Sequence, residues 1–181
     1  MTGESLLRKF ISEDLYNELR YLLVAATQWA AYDQLVDKCG TRVQGDFPRH
    51  FKVLAMDSAF LHSRSLYEFF TSKDGKSSKH LLTWKALGLS ERLTSPIYDK
   101  FRVPLHKRLM HLEPDRPGEI AIKDEVVTIA KDVLALWDKF AASAEVSKYA
   151  AELDEARARA ILDSNETAQR YTAFGFSVIF V

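Results

Sequence analysis

Residues 51–70 read Phe51-Lys-Val-Leu-Ala-Met-Asp-Ser-Ala-Phe-Leu-His-Ser-Arg-Ser-Leu-Tyr-Glu-Phe-Phe70. At about 100° per residue, Phe51, Leu54, Ser58, Leu61, Ser65 and Phe69 share one side of a helix, and the spacing predicts that this side faces the core. The opposite side is hardly polar, since Met56, Ala59, Phe60, Leu66, Tyr67 and Phe70 lie there. A helix that is apolar nearly all round is buried on most sides. Its polar residues are ordered. His50, Asp57, Arg64 and Thr71 recur every seven residues down one flank, with Glu68 one turn beyond Arg64. Charges are seldom buried unless paired or functional. The column therefore has two readings: a structural seam in which Arg64 pairs with Glu68 or Asp57, or a polar site set into a helical core.

The chain around this stretch suits a helical domain. Its 181 residues suggest one domain with a sizeable core. Seven glycines and five prolines are few, which favours helices over a turn-rich β fold. No apolar run approaches the roughly 18 residues of a membrane span, and Met-Thr-Gly-Glu-Ser at the start lacks the basic and apolar regions of a signal peptide. The single cysteine, Cys39, excludes an internal disulfide and reads as a packing residue in a reducing interior, so a cytoplasmic location is expected. A net charge of zero gives no global field toward nucleic acid or anionic lipid. The distribution is uneven. Between Lys73 and His111 there are nine Lys/Arg against three Asp/Glu, an excess of six, whereas residues 1–40 hold six acidic and four basic residues. That basic middle is either a solvated loop region or an anion-binding face.

Along the chain, Ser12-Glu13-Asp14 predicts an N-cap and an acidic first turn. Leu15, Leu19, Leu22, Leu23, Ala26 and Ala30 then keep helical spacing to a stop at Gly40. Asp46-Phe47-Pro48 opens the second long helix, and Asp74-Gly75 ends it. A short helix is expected over Leu81–Leu89. Another starts at Pro96, with Pro104 kinking or splitting it. Ile122–Ala144 is amphipathic through Val126, Ala130, Val133, Trp137, Phe140 and Ala144. Lys148–Arg170 is a more polar helix with a thin apolar side (Tyr149, Leu153, Ala156, Ala160), suited to the rim of the domain. The tail from Tyr171 to Val181 alternates with period two and reads as a strand or extended arm, with Glu119–Ile122 the candidate partner. The fold class is all-α: an antiparallel four-helix bundle over residues 1–170, with extra short helices and a C-terminal extended tail over 171–181.

Several familiar signatures are missing. There is no GxGxxG, GxxxxGK[ST], HExxH or CxxC, and no Glu-x-x-His pair of the di-iron bundles. His106 and His111 are five apart, about 140° on one helix, so they cannot chelate a metal together from an unbroken one. No metal or cofactor is expected. His111 shares a helical face with Arg108, and Lys107 is one turn behind it. That set suits a phosphate group, because His moves a proton near neutral pH while Arg holds the anion with a planar fork. The alternative is that Lys107 and Arg108 are solvated while His111 favours a helix C-terminus.

Leu61-His-Ser-Arg-Ser-Leu-Tyr-Glu-Phe-Phe70 and Val103-Pro-Leu-His-Lys-Arg-Leu-Met-His-Leu112 together resemble motifs of a group of uncharacterised bacterial helical proteins. That group is similar in layout to the HEPN superfamily, and the resemblance covers about residues 45–145. It implies a helical bundle that often dimerises and often acts as a metal-independent ribonuclease. By position the motif arginine is Arg64 and the motif histidine is His111. The superfamily's catalytic pair is Arg followed by His after four to six residues. Here Arg108 is too close to His111 and Arg102 too far from it, so the pairing departs from the pattern.

Two functions follow as expectations. The first is a non-catalytic interaction or regulatory bundle, with Arg64, Glu68 and Asp57 as a structural network and the C-terminal strand as the contact surface. The second is a HEPN-like RNA- or nucleotide-binding protein. In it His111 serves as general base, Arg64 or Arg108 stabilises the phosphate, and Asp57, Glu68 and Lys107 line the site. A homodimer is expected in both, without a membrane partner.

Overall fold

A computed structural model of the chain describes residues 3–39, 47–73, 82–110 and 125–173, with side chains described at 3–32, 50–73, 82–105 and 125–173. The fold is all-α, and among the described residues there is no strand. Helices α1 (Gly3–Lys9), α2 (Tyr16–Cys39), α3 (Phe47–Thr71), α4 (Pro96–Met110), α5 (Val126–Ala141) and α6 (Ala150–Thr172) follow in chain order. Short 3₁₀ turns lie at Trp84–Leu87 and Ala144–Tyr149.

Helix α2 is central. Leu19, Leu22, Leu23, Ala25 and Ala26 are all buried, and α2 packs along α3 on one side and α6 on the other, with α5 also against it. Its N-terminus differs from the expected N-cap at Ser12. The chain passes from α1 into α2 through a π-helical segment, Phe10–Leu15, without a break. The Ser12 hydroxyl donates back to the Lys9 carbonyl at 3.2 Å, as a serine inside a helix does. Wider π turns re-phase the helix. No residue of α1 is buried, whereas Ile11 and Leu15 are.

The thin apolar side of α6 (Leu153, Ala156, Ala160, Ser164, Ala168) is fully engaged. Small residues there let α6 come close to α2, and one buried polar pair crosses the seam: the hydroxyls of Thr27 and Ser164 are 2.8 Å apart. Helix α6 is thus a close neighbour of the central helix rather than a rim element. It runs two residues past Arg170, so Tyr171 and Thr172 are helical. The strand expected beyond them, its partner at 119–122 and the loop at 74–78 lie outside the described residues.

Helix α5 carries the cleanest stripe, with Val126, Ile129, Ala130, Val133, Leu134, Leu136, Trp137 and Phe140 buried. It meets the C-terminal half of α3 in an aromatic cluster. Phe70 stands edge-on to Trp137 at 6.3 Å, and Phe69 edge-on to Phe140 at 5.5 Å, the geometry that ring quadrupoles favour. Helix α3 ends at Thr71, and the segment after it returns to cap it. The N–H of Leu93 donates to Phe70 O at 3.0 Å, Arg92 Nη1 to Thr71 O at 3.3 Å and the Trp84 indole to Ser72 O at 3.0 Å. Carbonyls at a helix end need such outside donors. Pro104 sits inside α4 without ending it.

The orientation of α3 corrects the reading of its sequence. Ala55, Met56, Ala59, Phe60, Leu66, Tyr67 and Phe70 face the core. The side expected inward faces water along most of its length: Phe51 is 38%, Leu54 62% and Leu61 47% exposed, with Ser58 and Ser65 half-buried between them. Phe69 alone of that set is buried. With α2, α5 and α4 packed around α3, the core takes the aromatic and alanine side, where ring area and close approach both gain.

Candidate functional site

The polar column of α3 lies at the edge of this exposed strip. Arg64 Nε donates to Glu68 Oε1 at 3.0 Å, with the two side chains 17% and 31% exposed. A pair of this kind, one turn apart on a helix, contributes about 0.3–0.5 kcal/mol. Asp57 is half-buried on the same flank, two turns earlier, and Thr71 at the far end is buried with its hydroxyl on the Tyr67 carbonyl at 2.7 Å. His50, at the near end, is exposed. The structure thus brings Arg64 and Glu68 together and keeps Asp57 on their flank. Lys107 and Arg108 belong to α4, but their side chains, like His111 itself, lie outside the described residues.

One turn inward from Arg64 is a network that sequence reasoning missed. The Tyr67 hydroxyl donates to Asp132 Oδ2 of α5 at 2.7 Å, and the Ser95 hydroxyl donates to the same oxygen. Ser95 also accepts from the N–H of Tyr98 at 2.9 Å, which makes it the N-cap of α4 just before Pro96. The Tyr67 and Tyr98 rings stack at 4.5 Å with 18° between their planes. Burial, then the bond to Asp132, pushes the Tyr67 phenol well above its ordinary range. Burial also raises Tyr98, with Glu68 adding to the effect and Arg102 and Arg64 opposing it. The network joins α3, α4 and α5 through one carboxylate. Its legible signal was Ser95-Pro96; nothing local marks Asp132.

Two further polar groups lie on α2. His62 Nδ1 of α3 is 2.9 Å from Glu18 Oε2, and the Tyr21 ring lies 5.1 Å from the imidazole. The Tyr16 hydroxyl donates to Asp163 Oδ2 at 2.8 Å, Arg20 Nε lies 2.7 Å from the same oxygen, and Arg159 covers the Tyr16 ring at 4.1 Å. Both are interhelical clasps, tying α2 to α3 and to α6. Among the described residues no group of three or more His, Cys, Asp or Glu could hold a metal ion, and no helix is long and apolar enough to cross a membrane. Comparison with protein-family models, with curated proteins and with solved structures finds no match.

Proposed function

We propose that this protein is a non-catalytic helical-bundle interaction protein whose polar seam is structural. The observation that carries the reading is the bonding of the seam. Arg64 gives its Nε to Glu68, while Oδ2 of Asp132 on α5 accepts from both Tyr67 and Ser95. A catalytic site needs lone pairs and protons presented to a substrate, whereas Tyr67, Ser95 and Asp132 are engaged in tying α3, α4 and α5 together, and Arg64 pairs with Glu68 along α3 itself. The most exposed side chains along this side of α3, Leu54 and Leu61, are apolar, which is the material of a binding face.

The ribonuclease alternative rests on Arg64 acting with His111. Incubating labelled single-stranded RNA with wild type, His111→Ala and Arg64→Gln, with and without chelator, separates the two. The structural-seam reading expects no cleavage by any of them. Cleavage by wild type that His111→Ala abolishes would overturn it and install His111 as the base.

A further inference from the structure

The exposed side of α3 has a pattern of its own. Phe51, Leu54, Ser58, Leu61, Ser65 and Glu68 are spaced alternately three and four apart, the spacing of a coiled-coil seam. On this strip large and small alternate: Leu54, Ser58, Leu61, Ser65. Leu54 and Leu61 are 62% and 47% exposed, and Tyr21, 46% exposed, broadens the strip on the α2 side through its contact with His62. Asp57 and Arg64 occupy one flank of the strip, one step before Ser58 and Ser65.

From this pattern we infer that the face receives a second copy of the same chain, with the two α3 helices packed antiparallel across a twofold axis. The inference rests on the interaction reading above and names the partner. In antiparallel packing each seam residue faces a seam residue of opposite type. The register centred between Ala59 and Phe60 sets Leu54 against the partner's Ser65 and Ser58 against the partner's Leu61. Leu54 and Leu61 then each meet a serine, Phe51 at the end of the seam meets the partner's Glu68, and the twofold repeats each contact. The flanks select this register from its neighbours. Here Asp57 lies beside the partner's Arg64, and Arg64 beside the partner's Asp57. A slip of one heptad in one direction sets Asp57 against the partner's Asp57; a slip in the other sets Arg64 against the partner's Arg64. Like charges placed so are unfavourable, and opposite charges fix partner and register. A parallel pairing would leave serine facing serine at two layers. Arg64 spends only its Nε on Glu68 among the described residues, so its two terminal nitrogens can reach across.

The size of the contact sets its strength. Residues 51–68 span about 25 Å at a width of about 10 Å, a contact below the standard size of specific interfaces. A reversible dimer with a micromolar dissociation constant is expected.

Sedimentation equilibrium of the full chain is the test. Wild type should shift from 20.7 kDa toward twice that mass as concentration rises. Leu61→Lys, at a position that is already exposed, should weaken the dimer by about 30-fold or more while leaving the circular dichroism and melting temperature unchanged. Asp57→Arg should weaken it, and the exchanged variant Asp57→Arg/Arg64→Asp should recover it. Ser58→Leu/Leu61→Ser, which exchanges knob and hole, should likewise recover what Leu61→Ser loses. A chain monomeric to about 1 mM overturns the proposal, because weak specific pairs populate by then. So does a dimer that survives Leu61→Lys, or one that Asp57→Asn strengthens. None of these results bears on RNA cleavage, so the dimer can fail while the non-catalytic reading stands, and the reverse.

Discussion

Asp132 is the residue on which three helices agree. Its carboxylate accepts from Tyr67 on α3 and from Ser95 at the start of α4, while its own backbone belongs to α5. Replacing it with alanine removes the 2.7 Å acceptor of the Tyr67 hydroxyl, inside a fully buried side chain, and leaves it the Ile129 carbonyl at 3.4 Å and the neighbouring Ser95 hydroxyl, which loses the same acceptor. An orphaned buried donor costs about 1–3 kcal/mol. Asp132→Ala should therefore lower the unfolding free energy by that amount in urea titration. Tyr67→Phe/Asp132→Ala, which removes both partners, should be less damaging than the sum of its single changes. Additive losses would show that the bond carries no coupling.

At the scale of the element, α3 has two apolar sides and the fold uses only one. Leu66 is fully buried and Leu54 is 62% exposed, although both are leucines in the same helix. Leu66→Ala should cost about 2–5 kcal/mol as a cavity opens, whereas Leu54→Ala should stay within about 0.5 kcal/mol in dilute monomer. Equal losses measured by denaturation would restore the inward reading of the Leu54 side. The face of α6 makes the complementary case. Ala160 is fully buried against the α2 seam, so a larger side chain has no room. Ala160→Leu should destabilise by about 1–3 kcal/mol through overpacking, read as a lower midpoint in the same titration.

For the whole molecule, four buried or half-buried tyrosines set an alkaline limit. Tyr16, Tyr67, Tyr98 and Tyr171 are all held above the ordinary phenol value of 10.0, with burial the first cause in each. The folded state therefore keeps its phenol protons longer than the unfolded chain does. Such a group contributes fully below pH of about 10, and its contribution is lost as pH rises beyond that value. Unfolding free energy measured from pH 8 to 11 should decline above pH 10, and Tyr67→Phe should decline less steeply. A Tyr67→Phe slope equal to wild type would show that this phenol titrates no differently once folded.

Much of the architecture is legible in the chain itself. Scarce glycine and proline, and 3.6-residue spacing through Leu15–Ala30, Val126–Phe140 and Leu153–Ala160, dictate helices at those places, because periodicity is a local property of covalent geometry. The pairing of Arg64 with Glu68 was legible for the same reason, since residues four apart on a helix are neighbours whatever surrounds them. Which side of α3 faces inward was not, because two apolar sides nearly opposite each other give one periodic signal and only the packed neighbours choose between them. The link from Tyr67 to Asp132 spans 65 residues and was equally beyond local reading. By itself, the sequence determined where the long helices lie and which charges stand close enough to pair along them. The tertiary structure decided which apolar face is core and which is surface, because burial depends on what packs against a helix as well as on what the helix is made of.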